Sequence, residues 1–368
     1  MIKILNIELT QNFGGIESLL SQVSKRIDRD KFQYDFIAMG YGDYQEVIQK
    51  MGSRIFVLSP EDSILKFRKQ FINIIKKNYD IVHFHKNSLA NYLPILWTKL
   101  YSKKSKIILH SHNTAPSVND RKIELLHSIN KKLFNDIPDY KIGCSIKAAE
   151  YMFNSKDNFR VIHNGIDTKK FTFSLENRYK IRKELGISQD DLIIGNIGRF
   201  SKQKNHKRLV QIFYELHKIK HNSKLLLIGE GELEEEIRSL SKKYNLQDDI
   251  KFLGHKDNVN EYLSAIDIVL MPSFYEGLSI ASVEAQCSGS TLFLSDTISH
   301  ESAITNNVYF FSLNTSNYKI ANYILQNYTQ LNERKKLLQA EIVKKTYDIN
   351  TTVKELSNIY EEITNVEK

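Results

Sequence analysis

Cysteine is nearly absent from this chain. Only Cys144 and Cys287 occur in 368 residues, each within an apolar segment and in different halves. A disulfide framework is thereby excluded as the source of stability, and the usage fits a reducing compartment such as the cytoplasm. Long apolar runs are missing too. No stretch of about 18 apolar residues exists to span a bilayer, so any membrane contact is expected to be peripheral. The opening residues, 1–11, form a short strand-like run where a secretory signal would need a charged region and then a long apolar one, so no signal is expected. No nucleic-acid-binding motif accompanies the lysines. Asp28-Arg29-Asp30 is the single Asp-x-Asp, and its flanks, Arg26 and Lys31, mark it as a solvated turn and not a divalent-ion site.

What the chain does have is length and an uneven charge. Its size exceeds the usual limit for one core, and two domains of about 150–180 residues each are expected. Residues 1–170 carry 27 Lys and Arg against 17 Asp and Glu, whereas residues 171–368 carry 25 against 26, so a net +10 is confined to the first part. Such a basic part points to an anionic partner, and without a nucleic-acid motif that partner is expected to be an acidic membrane surface, with no nucleic acid.

Apolar strands alternate with helical patterns throughout. Ile2, Ile4, Leu5, Ile7 and Leu9 open the chain, the loop Gly14-Gly15 follows, and Ile16, Leu19, Leu20 and Val23 mark a helix. Strand segments at 34–40, 53–59, 80–86, 106–112 and 140–145 are separated by helices expected near 43–51, 62–77, 88–101 and 119–134. The alternation implies a parallel sheet with helices on both faces. Asn164-Gly165 is a turn signal leading into a polar stretch, and the domain junction is placed there. The pattern restarts with strands at 191–200, 223–232, 249–255 and 265–273, and with helices near 205–220, 232–243 and 257–264. From about residue 320 the chain reads as helices, and Val353, Leu356, Ile359, Tyr360 and Ile363 give the last one an apolar stripe. That helix is expected to cross back onto the first domain.

The stretch 270–289 concentrates the candidate chemistry. Strand, turn and helix place Glu276, Gly277 and Leu278 at the carboxyl edge of the second sheet, where open α/β sheets bind ligands, with Glu284 a turn into the helix. Gly277 would let backbone N–H groups approach an anion, and the helix N-terminus adds partial positive charge. Ser273-x-x-Glu276 also fits a helix capping box, an alternative the sequence leaves open. Arg199 and Lys204 follow the first strand of the same domain and could clamp a diphosphate, Arg as a planar fork and Lys as a point charge. Gly14 and Gly15 suit a phosphate or a closely approaching acceptor. Gly229-Glu230-Gly231 begins like a dinucleotide fingerprint, but Glu234 stands where the third glycine belongs. His83 and His85 share one face of a strand, as do His110 and His112. No carboxylate or Cys stands at a matching spacing, so no metal is expected, and His112 at the ligand edge is the candidate for substrate contact.

In order along the chain, Gly14-Gly15-Ile16-Glu17, the strand 80–85, His112, His163-Asn164-Gly165-Ile166-Asp167, Gly198-Arg199 with Lys204, Gly229-Glu230-Gly231, and Glu276 with Glu284 resemble the retaining glycosyltransferases of family 4. Within that family the chain is similar to enzymes of capsular and exported polysaccharide synthesis. The resemblance implies an α/β GT-B fold, two Rossmann-like domains facing across a cleft. Residues 1–165, with a returning helix at about 347–368, would bind the acceptor, and residues 166–346 the nucleotide-sugar donor. It further implies transfer from a UDP-sugar to a lipid-linked glycan at the inner face of the plasma membrane, with retained anomeric configuration and no metal or other cofactor. By position, Arg199 and Lys204 would hold the diphosphate, Glu284 the ribose hydroxyls, and Glu276 with Gly277 and Leu278 the donor sugar. Gly14 and Gly15 would border phosphate and acceptor, and His112 would contact the transferred sugar. Ser279 stands where many members have proline, and Ser288-Gly289-Ser290-Thr291 lacks the proline that often follows the glycine, which leaves the donor sugar open. A sugar-nucleotide epimerase and a non-catalytic membrane-associated scaffold are the rival readings.

Overall fold

The apolar alternation becomes two parallel sheets. The structure, a computed structural model, describes every residue except 12–13, 43, 60, 115–120, 155–158, 277–278, 335–337 and 366–368. Two compact units result, one of Met1–Gly165 with Ile349–Lys368 and one of Ile166–Asp348.

In the first unit the described strands are β1 (Ile2–Thr10), β2 (Phe32–Met39), β3 (Ile55–Leu58), β4 (Ile81–Lys86), β5 (Lys106–Ser111), β6 (Tyr140–Gly143) and β7 (Arg160–Val161). All pair in parallel, in the order β3-β2-β1-β4-β5-β6-β7. Alternate side chains feed cores on opposite faces: Ile4 joins one, Leu5 and Ile7 the other. At Glu8, whose φ is +99°, the register between β1 and β2 shifts, and Leu9 crosses to the core that holds Ile4. One extra residue in a strand reverses every later side chain, so the bulge aims the end of β1 differently from its beginning.

The last helix, Ile349–Asn365, closes this unit. Val353, Leu356, Tyr360 and Ile363 recur at helical spacing and enter the same core as Phe32 and Tyr34, with the Tyr360 ring edge-on to Phe32 at 5.9 Å.

The second unit contains β8 (Leu192–Ile197), β9 (Ser223–Ile228), β10 (Ile250–Phe252), β11 (Ile268–Met271), β12 (Thr291–Ser295) and β13 (Val308–Phe311), again all parallel, ordered β10-β9-β8-β11-β12-β13. Strand order thus reverses beside β1 in one sheet and beside β8 in the other. At such a reversal the loops leaving neighbouring strands diverge, which opens a crevice at their carboxyl ends.

A buried charge cluster anchors the second sheet. Asp267, just before β11, accepts Arg178 Nη1 and Arg182 Nη2 at 2.7 Å each and the backbone N–H of Ile193 at 2.9 Å. Arg182 also donates to Ala265 O, and Arg334 donates to Leu263 O, carbonyls near the end of the helix Val259–Ala265. Cations at a helix C-terminus satisfy its orphan carbonyls and its dipole.

Candidate functional site

The crevice of the second unit is bordered by the loops after β8 and β11. Lys204 comes from the first and Glu276 from the second, and their side chains meet at 2.6 Å, Nζ to Oε1, with only 15% and 8% of their surfaces exposed. Ser273 Oγ donates to the same carboxylate oxygen at 2.9 Å. The two loops are joined further: Gln203 O accepts from Phe274 N at 2.9 Å, Gln203 Nε2 donates to Tyr275 O, and Asn205 Nδ2 to Pro272 O. Asn205 holds the left-handed conformation, φ +54°, that lets a short turn run straight into the helix His206–Ile219. Asn196, buried on β8, reaches Leu270 O on β11 at 2.8 Å and ties the diverging strands beneath.

This geometry removes the capping-box alternative for Glu276. The helix begins only at Ile280, with Ser279 as its N-cap, so Ser273 and Glu276 precede it and bond to each other through their side chains. Gly277 and Leu278 lie outside the described residues. Glu284 sits in that helix, half-buried, and burial raises its carboxyl to about 8, with Lys170 opposing the shift. A protonated carboxyl both donates and accepts, which suits vicinal hydroxyls.

Arg199 does not join Lys204 at Glu276. Its guanidinium is exposed and pairs with Glu232 at 3.1 Å. The glycines around it explain themselves by space. A Cβ on Gly198 would lie 3.0 Å from Lys204 Cε, and one on Gly229, at φ +133°, only 2.2 Å from Gly198 O. Gly229 therefore lets the loop after β9 press against the loop after β8, where Phe200 N donates to Glu230 O and Leu233 N to Phe200 O. The glycine pair read as an incomplete nucleotide fingerprint is a packing device that presents Arg199 and Lys204.

In the first unit the four histidines come together. His85 Nδ1 lies 3.0 Å from His112 Nε2, His85 Nε2 lies 3.2 Å from Asn6 Oδ1, and His83 Nδ1 lies 2.9 Å from Tyr360 OH on the returning helix. Asn164 Nδ2 reaches His112 Nδ1 at 3.4 Å. Asn6, His83, His85 and His110 are buried, while His112 is half-buried at the end of the row. Burial lowers every one of these imidazoles well below the usual histidine range, His112 to about 3. At neutral pH all four are uncharged.

Ring nitrogens of His83, His85 and His110 approach within 4.8 Å of one another, the one such group of possible metal ligands among the described residues. The fit to an ion is poor. The rings stack face to face, His83 on His85 at 4.0 Å and on His110 at 5.5 Å, so their lone pairs do not converge, and His85 already spends both nitrogens on Asn6 and His112.

Nearby, Glu17 accepts Gly14 N at 3.1 Å, Thr10 N at 3.0 Å and Thr10 Oγ1 at 2.8 Å, so the Gly14 amide is engaged within the loop, and Gly15 starts the helix. Glu8, turned by the bulge, pairs with Lys86 at the end of β4. Sequence reasoning missed this pair, which left no signal, and the roles of Asn6, His85 and Asn164, for which the alternation His-x-His in β4 was the available signal. Asp28 and Asp30 are exposed, with Asp30 N bonded to Asp28 Oδ1 in a turn, as expected.

Comparison with known proteins agrees with this architecture. Residues 13–170 match the family described as Glycosyltransferase Family 4, and residues 177–342 match Glycosyl transferases group 1. The putative glycosyltransferase EpsF of Bacillus subtilis is 28% identical over 310 residues, 81% of this chain and 80% of the relative. CapH of Staphylococcus aureus, a capsular polysaccharide biosynthesis glycosyltransferase, is 25% identical over 373 residues, covering 98% of this chain and 99% of CapH. The Escherichia coli UDP-Gal:alpha-D-GlcNAc-diphosphoundecaprenol alpha-1,3-galactosyltransferase is 24% identical over 308 residues, 78% of each chain. The fold matches the crystal structure of Anabaena HepE in complex with UDP-glucose, with a TM-score of 0.78 at 16% identity, over 98% of this chain and all of that one.

Proposed function

Because the chain belongs to glycosyltransferase family 4 and has the GT-B fold, we propose that it transfers a sugar from a UDP-sugar to a lipid-linked glycan in capsular or exopolysaccharide synthesis. The observation that carries this reading is the buried Lys204–Glu276 pair at the strand-order reversal of the second sheet. It supports the reading because a lysine there could meet a leaving phosphate and the carboxylate beside it could accept from sugar hydroxyls.

In this reading Lys204 and Arg199 hold the donor diphosphate, Glu276 the sugar hydroxyls and Glu284 the ribose. Gly277 and Leu278 complete the donor loop, Gly14 and Gly15 border the acceptor, and His112 touches the transferred sugar. The bond from the anomeric carbon to the diphosphate oxygen breaks, and the diphosphate keeps its electron pair. The acceptor oxygen bonds to the same face of that carbon, and its proton passes to the departing phosphate, so configuration is retained. The cations supplied by the protein take the part a metal plays elsewhere, and transfer should continue in a chelator.

The acceptor would be met at a membrane. On the helix Arg121–Phe134 only His127 is buried, while Leu125, Leu126, Ile129 and Leu133 are exposed by 60%, 48%, 42% and 67%. Arg121, Lys122 and Lys132 are exposed on the same helix. Apolar side chains flanked by cations suit an anionic lipid surface. No helix among the described residues is long and apolar enough to cross a membrane.

The test is a panel of nucleotide sugars, offered with a lipid diphosphate-linked acceptor in membranes and in detergent. Release of UDP with growth of the lipid-linked glycan is expected. An epimerised nucleotide sugar without acceptor, or no thermal shift with UDP at all, would replace the reading by an epimerase or a scaffold.

A further inference from the structure

We propose that Asn6 and His85 are positioning residues that set the tautomer of His112, so that His112 Nδ1 is held ready as an acceptor for a hydroxyl group. One group at the start of the row admits no choice of role. The main-chain oxygen of Asp35 can only accept, and Asn6 Nδ2 donates to it at 3.2 Å. The amide of Asn6 is thereby oriented, and its Oδ1 faces His85 Nε2 at 3.2 Å. An amide oxygen can only accept as well, so the proton of His85 sits on Nε2.

A neutral His85 then offers a bare Nδ1, and His112 Nε2, 3.0 Å away, must be the donor. Neutrality follows from the site: His85 is buried beside His83 and His110, and among the described residues no carboxylate pairs with it. The proton of His112 is consequently on Nε2, and its Nδ1 is bare. Among the described residues that nitrogen meets Asn164 Nδ2 alone, at 3.4 Å, the longest contact in the row, and Asn164 Oδ1 is buried with no partner among them. The row runs from a fixed main-chain carbonyl to a half-buried ring with one lone pair to offer.

Such an end discriminates between ligands. A sugar hydroxyl can donate to Nδ1 and accept from Asn164 in one step, whereas an ionised phosphate oxygen has no proton and would face a lone pair. His112 is therefore suited to a hydroxyl and unsuited to the diphosphate. The inference rests on the transferase reading only for whose hydroxyl it is.

Long-range 1H–15N correlation on protein labelled with 15N-histidine, assigned with His112→Gln, reads the tautomer directly. We expect one His112 species in the parent protein, protonated on Nε2, and loss of that single species in Asn6→Ala, where both tautomers appear. Asn6→Leu, which fills the space, replaces Asn6→Ala if the latter unfolds. In the folded variant, turnover of the sugar donor should fall about tenfold, the worth of one hydrogen bond, with UDP affinity unchanged. A parent His112 protonated on Nδ1, or a folded Asn6 variant that keeps the parent tautomer, overturns the inference. The expected tautomers in a protein that turns over no nucleotide sugar would support the inference and sink the transferase reading.

Discussion

Lys204 Nζ stands 2.6 Å from Glu276 Oε1, and that ion pair joins the loops following β8 and β11 where the strand order of the second sheet reverses. Neither side chain is exposed enough for water to replace its partner. Removing one leaves the other buried and short of an interaction, which costs about 3 kcal/mol in pairs of this kind. Lys204→Ala should therefore lower the thermal midpoint and cut turnover on the order of 10²–10³-fold. Glu276→Gln keeps a group able to accept from Ser273, so its stability loss should be the smaller of the two. Parent-rate transfer by Glu276→Gln would restrict Glu276 to holding Lys204.

Arg199 offers the opposite combination. Its pair with Glu232 is exposed, and such pairs contribute roughly 0–1 kcal/mol. Arg199→Ala should unfold at the parent temperature yet lose turnover heavily, because in the proposed reading the guanidinium leaves Glu232 for the diphosphate and is needed only with donor bound. Steady-state kinetics beside a melting curve separates the two effects.

Glu284 links stability to pH. Its carboxyl is raised to about 8 in the folded chain, by burial, while the unfolded chain has the ordinary value near 4.5. Between those values the folded state binds the extra proton, so the contribution of this group is greatest below the unfolded value and is lost as pH rises towards 8. The slope is at most about 1.4 kcal/mol per pH unit. Glu284→Gln should flatten the decline in denaturation free energy from pH 5 to 8. An unchanged slope would mean that Glu284 is solvated.

Asp267 receives two buried arginines and a backbone amide. Asp267→Asn removes the countercharge of both and should cost about 3–5 kcal/mol, readable by urea unfolding. The mutation lies at the start of β11, away from its carboxyl end, so the protein that remains folded should bind UDP as the parent does.

The exposed leucines of the helix Arg121–Phe134 predict a membrane phenotype. Leu125→Glu with Leu133→Glu should abolish flotation with vesicles containing anionic lipid, leave the melting temperature within about 2 °C because little buried area changes, and spare turnover of a water-soluble acceptor. Binding of the parent protein to neutral vesicles with equal strength, or flotation unaffected by the double substitution, would remove the helix from this role.

Much of this was legible beforehand, and the reasons are local. The strands at 81–86 and 192–197 are buried along nearly their whole length because central parallel strands are covered on both faces; Ile81, Val82 and Phe84 in one and Leu192, Ile193 and Ile194 in the other announced this, and each strand is followed by a helical period. The apolar stripe of the last helix announced that it needed a core, and Tyr360 found one beside Phe32. The Gly-Glu-Gly segment departs from a dinucleotide fingerprint at Glu234, and the reason for its first glycine emerged only in the fold, where Gly229 lets two loops approach closely. The bulge at Glu8 and its pairing with Lys86 left no sign, because nothing in an alternating strand marks where an extra residue will be accommodated.

By itself the sequence determined two parallel α/β units, the strand ends that are the candidate ligand edges, and a short set of polar residues at those ends. These follow from periodicity and from turn residues, which act over a few positions. Only the tertiary structure decided how the polar residues divide the work. Lys204 meets Glu276 while Arg199 meets Glu232, and Asn6 reaches His85 across 79 residues to fix the proton of His112. Partners of that kind are chosen by which strand ends lie side by side. Strand order, not spacing along the chain, sets that neighbourhood.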